Sequence, residues 1–136
     1  MGKVLAIDFG LKRTGLAISD ESQIFAFGLK TVDSKTLNQE IEMLVFKENL
    51  TDIVIGLPKR LNDEDTHITQ NVRVLKEIIE KNHPSVKVHL EDERFTSSMA
   101  SNVIHAGGAS KKQKKDKGLI DKVSATIILQ SFLDSK

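Results

Sequence analysis

The stretch KVLAIDFGLKRTGLAIS, residues 3–19, decides the fold. Its first seven residues, Lys3 to Phe9, form an apolar run that Gly10 terminates, which is the character of a buried strand. Residues 14–19 (TGLAIS) predict a second strand, and the intervening GLKRTG carries a glycine at each end, as a tight connection does. Residues 24–31 (IFAFGLKT) predict a third strand, so the three read as an antiparallel meander. Inside the first strand stands Asp8. A charged group among Val, Leu, Ala, Ile and Phe is costly unless it is paired, protonated or metal-bound. The plainer alternative is an aspartate that caps a turn at a strand end.

Outward from this meander, Leu37, Ile41, Leu44 and Val45 recur at helical spacing and predict an amphipathic helix over 36–48, with Thr36 and Gln39 offered as a capping box. Residues 52–57 (DIVIGL) predict a short buried strand stopped by Pro58. A second helix begins near Asn62 with Asp63, Glu64 and Asp65, carries Ile68, Val72, Leu75 and Ile79 on one stripe, and ends at Asn82-His83-Pro84. Residues 86–90 (VKVHL) alternate as a strand. A helix over about 96–106 stops at Gly107-Gly108, and a last helix runs from about Leu119 to Leu133. The order is β-β-β-α-β-α-β-α-α. An antiparallel start followed by βαβ crossovers predicts an α/β fold with a mixed five-stranded sheet: strands 1 to 3 antiparallel, strands 1, 4 and 5 parallel, helices on both faces. That order is similar to the ribonuclease H-like fold. With 136 residues and no linker, repeat or low-complexity tract, a single domain over 1–136 is expected.

Composition excludes several classes. Hydrophobic residues make up 39% and charged residues 29%, a soluble globular balance. There is no cysteine, so disulfides, thiolate metal sites and cysteine nucleophiles are excluded. No apolar run approaches the roughly 20 residues a membrane span needs, Val4–Ile7 is too short for a signal-peptide core, and Ala6 stands where a myristoylation motif wants Ser or Thr. The expected compartment is the cytoplasm, with no membrane partner. Net charge is only +1, but between Ser110 and Lys122 six lysines face two aspartates, Asp116 and Asp121. That local excess is either a solvated loop or an electrostatic footprint for nucleic acid.

The candidate chemistry lies in three acids on separate elements. Asp8 is the first. Glu93 sits in Glu91-Asp92-Glu93-Arg94, directly after the fifth strand; whether Glu91 or Asp92 assists it is open. In a sheet whose first, fourth and fifth strands run parallel, their carboxyl ends share the edge where sites of open α/β sheets form. Asp121 is the third: on a helix its neighbours Ser124, Ala125 and Ile128 make a small, apolar face suited to packing on the sheet. Taken one at a time, Glu93 reads equally as a solvated helix start and Asp121 as a helix N-terminal charge. Together the three suggest hard-cation ligation by oxygen, one or two Mg²⁺ or Mn²⁺ ions, for phosphodiester hydrolysis. Lys12, Arg13, Lys59, Arg60, Arg94 and the lysines 111, 112, 114, 115 and 117 bracket this site as candidate phosphate contacts. His67, His83, His89 and His105 lack ligand spacing and read as surface or core-edge residues.

The stretches AIDFGLKRTGLAIS (6–19), IVIGLP (53–58), EDERFTS (91–97) and KGLIDKVSATIILQ (117–130) closely resemble the YqgF family, also called RuvX, in order and over the whole chain. The resemblance implies a fold like that of RuvC Holliday junction resolvases. It implies one of two activities, maturation of the 5′ end of pre-16S ribosomal RNA in ribosome biogenesis or resolution of Holliday junctions. It carries the family's acidic positions onto Asp8, Glu93 and Asp121. Two departures from the resolvase pattern stand out. GLPKRLN has no carboxylate before Asp63, and Ser124 occupies the place of a second aspartate one turn into the last helix.

The leading expectation is therefore a metal-dependent phosphodiesterase that processes precursor ribosomal RNA, with RNA or branched DNA as its partner. A DNA junction resolvase ranks second, since symmetric cutting requires a dimer. Nothing in the sequence identifies an interface, and a monomer and a weak homodimer both stay open. A non-catalytic nucleic-acid scaffold ranks third, because retained acids are out of place on a phosphate-binding surface. Actin-like ATPases also carry Asp-x-Gly after a first strand, but they need two lobes where 136 residues supply one.

Overall fold

The computed structural model describes residues 2–57, 67–92 and 117–135. Strand β1 (Lys3–Asp8) pairs antiparallel with β2 (Arg13–Ser19), which pairs antiparallel with β3 (Ala26–Asp33). A short 3-10 turn (Ser34–Thr36) leads into helix α1 (Leu37–Glu48), then β4 (Leu50–Leu57), helix α2 (His67–Asn82), β5 (Lys87–Asp92) and helix α3 (Lys117–Asp134). The sheet order is β3-β2-β1-β4-β5, with β4 parallel to both β1 and β5. The mixed five-stranded sheet expected from the sequence is present. The helix expected over 96–106 lies outside the described residues.

Burial on both sides of the central strands explains why they read as unbroken apolar runs. Leu5 and Ile7 of β1, Leu16 and Ile18 of β2, and Ile53 and Ile55 of β4 pack with α1 and α2 through Leu37, Ile41, Leu44, Val72, Leu75 and Ile79. Val4, Ala6, Ala17 and Val54, the alternate residues of the same strands, pack under Ala125, Ile128, Leu129, Phe132 and Leu133 of α3. Alanines on both sides of that second contact let α3 lie close to the sheet. No helix among the described residues is long and apolar enough to cross a membrane.

The capping box expected at Thr36 does not form: the Thr36 side chain makes no cap bond. Asp33 caps one turn earlier instead, accepting from the Lys35 backbone N–H at 2.9 Å and so starting the 3-10 turn ahead of α1. Helix α1 ends at Asn49, which takes the left-handed conformation with φ 54°, common where a helix must turn sharply. Gln130 of α3 docks the far end of the helix on β3. Its side chain accepts from Ala26 N–H at 3.1 Å and donates to the Ile24 carbonyl at 3.1 Å, so it pairs the backbone as a neighbouring strand would.

Candidate active site

Asp8 is the last residue of β1, half-buried, and pairs with Gly15 of β2. On its other side the β1–β4 register runs to Ile7 and Ile55, so the next residues outward are Asp8 and Gly56. Gly56 pairs with Glu91 of β5. One row across the carboxyl ends therefore reads Gly15, Asp8, Gly56, Glu91. At about 4.8 Å per strand, the backbones of Asp8 and Glu91 lie roughly 10 Å apart. Both neighbours of Asp8 in the row are buried glycines, which bring no side chain of their own.

Alternation assigns the face. Val4 and Ala6 belong to the α3-side cluster and Leu5 and Ile7 to the other, so Asp8 falls on the α3 side. On β5 the His89 ring lies 4.8 Å from the Phe132 ring of α3, and Glu91, two residues on, has Oε1 3.5 Å from Ser131 Oγ. Glu91 thus shares the α3 face with Asp8. The sequence placed it just beyond the strand, whereas β5 extends through Asp92.

Helix α3 covers this face. Ser124 is 1% exposed, and its Oγ has no hydrogen-bond partner among the described residues, an orphaned polar atom inside an apolar contact. Asp121 is placed on α3, where position 121 continues the stripe of 125, 128 and 132 one turn toward the helix start. The Asp121 side chain lies outside the described residues, as does Glu93 altogether.

The basic brackets divide in the same way. Lys12 is exposed on the turn that joins β1 to β2, and Arg13, also exposed, is the first residue of β2, opposite Asp33 of β3. That turn is rigidly held. A Cβ on Gly10 would meet the Arg13 carbonyl oxygen at 2.4 Å, so only glycine fits there. Ser34 Oγ donates to the Gly10 carbonyl at 2.6 Å and lies 2.8 Å from the buried Thr14 hydroxyl, while Ser34 N–H donates to the Lys12 carbonyl at 3.0 Å. Lys59, Arg60, Arg94, Lys111, Lys112, Lys114 and Lys115 lie outside the described residues, and Lys117 is placed only as the first residue of α3.

One polar pair escaped the sequence. His89 Nε2 lies 2.8 Å from Asp52 Oδ2 across β4 and β5, and Asp52 Oδ1 accepts from the Thr51 hydroxyl at 2.8 Å. The partners are 37 residues apart, so no spacing reveals them; His89 is a core-edge histidine, as expected.

A model of the RuvX family, described as Holliday junction resolvase, matches residues 2–135. The chain belongs to the RuvX family. Among its RuvX relatives, a Bacteroides fragilis protein named "Putative pre-16S rRNA nuclease" is 43% identical over 136 residues, covering 100% of this chain and 99% of the relative. Proteins of the same name from Porphyromonas gingivalis and Flavobacterium johnsoniae are 43% and 42% identical, covering 99% and 100% of this chain and 98% and 99% of the relatives. Among solved structures, T. thermophilus RuvC in complex with Holliday junction substrate superposes with a TM-score of 0.62 at 12% identity, covering 99% of this chain and 95% of that one. At that identity the likeness concerns the fold, which is ribonuclease H-like.

Proposed function

We propose that this RuvX chain is a divalent-metal-dependent nuclease that hydrolyses phosphodiester bonds in precursor ribosomal RNA, at the 5′ end of pre-16S rRNA, with Asp8, Glu93 and Asp121 as its catalytic and metal-holding acids. The observation that carries the reading is the setting of Asp8. It is a carboxylate at the carboxyl end of the central strand, flanked in its row by two glycines and lying on the face that α3 covers. The names of the 41–43% identical relatives support the same substrate.

The donor chemistry fits a hard cation. The three acids offer only oxygen, the row of Asp8 contains no histidine, and the chain has no cysteine to favour a softer metal. The buried Ser124 hydroxyl, without a partner among the described residues, is a further oxygen on the helix of Asp121. Mg²⁺ or Mn²⁺ held by Asp8, Glu93 and Asp121 would supply Lewis acidity toward the scissile phosphate and its attacking water. The chain's own residues do the rest. Asp8 fixes the position of the reaction at the carboxyl end of the central strand. Lys12, on the turn clamped by Ser34, and Arg13 at the start of β2 hold flanking phosphates. Water adds across the P–O bond, and the leaving oxygen takes a proton. Cytoplasmic location and a single domain over 1–136 belong to the same proposal.

Cleavage of a pre-16S rRNA 5′-end substrate and of a four-way DNA junction, side by side with Mg²⁺ or Mn²⁺, tests it. Preference for the RNA is expected; exclusive cutting of the junction would favour the second reading. The RuvC-like fold and the resolvase description of the family model support that alternative, which requires a dimer.

A further inference from the structure

The far side of the same edge carries a recess. A cavity of about 180 Å³ lies between α1, α2 and the end of β1, lined by Phe9, Leu37, Asn38, Asn71, Val74 and Ile78 among others. Pockets for drug-sized ligands run from roughly 300 to 1,000 Å³, so this one takes a single ring system rather than a whole nucleotide. Its walls are apolar and aromatic. Phe9 packs only partly into the core, and Val74 is 52% exposed. Two carboxamides, Asn38 and Asn71, stand on it, both exposed and neither with a hydrogen-bond partner among the described residues. One aromatic ring in the lining beside two exposed amides is the equipment an unstacked base requires: a ring to stack on, donors and acceptors for its edge.

Position supplies the reason such a base would be there. Phe9 follows Asp8 directly, one Cα step of about 3.8 Å along the chain. Asp8 falls on the α3 face, whereas Phe9 packs with the α1–α2 cluster. A strand of nucleic acid whose phosphate sits at Asp8 therefore has a neighbouring base within reach of the recess across the sheet edge. Resting on the nuclease reading, we infer that the Phe9–Asn38–Asn71 recess binds one unpaired nucleobase next to the scissile phosphate, and so selects where the strand is cut. The pocket requires a base that is free of a helix, which matches a single-stranded or splayed segment rather than continuous duplex.

The test uses the full chain and two small probes, adenosine 5′-monophosphate and ribose 5-phosphate, titrated separately while amide resonances are followed. The nucleotide is expected to shift the Phe9 backbone amide and the Asn38 and Asn71 side-chain amides. Ribose 5-phosphate, lacking the base, is expected to leave them in place. Phe9→Leu keeps an apolar packing group but removes the ring, and Asn71→Leu removes an amide on an exposed position. Each should weaken nucleotide binding roughly tenfold and raise KM for RNA cleavage with kcat unchanged. Equal shifts from both probes, or unmoved pocket amides with the nucleotide, or wild-type affinity in both variants, would overturn the inference. The two readings fail separately. A marked pocket in a chain that cleaves no nucleic acid removes the nuclease reading alone. Intact cleavage with a silent pocket removes the base site alone.

Discussion

Asp8 and Glu91 stand in one row of the sheet with the single residue Gly56 between them. Both lie at the carboxyl ends of parallel strands and both fall on the face beneath α3. Two like charges held this way on one half-buried face repel. Lys12 on the β1–β2 turn and Arg13 at the start of β2, both exposed, bring positive charge to the same end of the sheet. A hard cation at the row would relieve that repulsion, which is the metal-site proposal that the Mn²⁺ titration below tests.

Replacing Asp8 by Asn tests the catalytic use of that site. The shape is kept and one negative charge is lost, so metal-dependent cleavage should fall by at least a hundredfold while the fold is retained. Melting temperature should hold or rise by a few degrees, because a repulsive carboxylate at a half-buried site has gone. Unchanged cleavage at saturating Mg²⁺ or Mn²⁺ would remove Asp8 from the reaction.

Ser34→Ala probes the clamp on the β1–β2 turn. The substitution deletes the donor to the Gly10 carbonyl and leaves the fully buried Thr14 hydroxyl without its Ser34 partner. A loss of about 1–3 kcal/mol is expected from urea unfolding midpoints, with weaker nucleic-acid binding as Lys12 and Arg13 lose their fixed position. An unchanged midpoint would show that the turn holds itself.

Stability should depend on pH at both extremes. The Phe25 and Ile24 backbone N–H groups donate to Asp20 and lower its carboxyl below 3.8. The hydrogen bond from Lys3, with its charge, lowers Glu48 below 4.5, and the same bond with the Glu48 charge raises Lys3 above 10.5. The acids contribute stability that is fully present above their ordinary values and lost as pH falls through the depressed ones. Lys3 contributes below its ordinary value and loses its contribution as pH rises through the elevated one. Thermal melts across pH should show a plateau that falls at each end. Asp20→Asn, which retains an acceptor that does not titrate in this range, should flatten part of the acid limb; an identical limb would rule out Asp20 as a contributor.

The lysines between Gly107-Gly108 and Gly118 predict a salt effect. If Lys111, Lys112, Lys114, Lys115 and Lys117 each neutralise a phosphate, replacing all five with alanine should flatten the log Kd against log salt slope by roughly 3.5 to 4.5 units. Equal slopes for both proteins would reduce the run to a solvated segment and leave the acids untouched.

Much of this frame is legible in the residues themselves. Val4–Ile7 and Ile53–Ile55 are buried on both sides, so they read as strands without any alternation. Leu37, Ile41 and Leu44 bury at helical spacing and show their helix directly. Asp8 is conspicuous because it interrupts such a run. What escapes is whatever depends on contact across elements. Thr36 and Gln39 satisfy the spacing of a capping box, but Asp33 reaches the backbone first. Glu91 looks like the residue after a strand because a sequence does not show that β4 keeps pairing to Leu57. Asp52 with His89, and Gln130 with Ala26, meet only after the chain has folded. The recess at Phe9 belongs to the same class, since its walls come from the residue after β1 and from α1 and α2.

The most direct measurement is a Mn²⁺ titration followed by paramagnetic broadening of backbone amides, on the wild type and on Asp8→Asn. Broadening should centre on Asp8 and spread to Gly15, Gly56 and Glu91, and it should weaken sharply in Asp8→Asn. Broadening centred elsewhere, or identical in both proteins, would contradict a metal site at the end of β1.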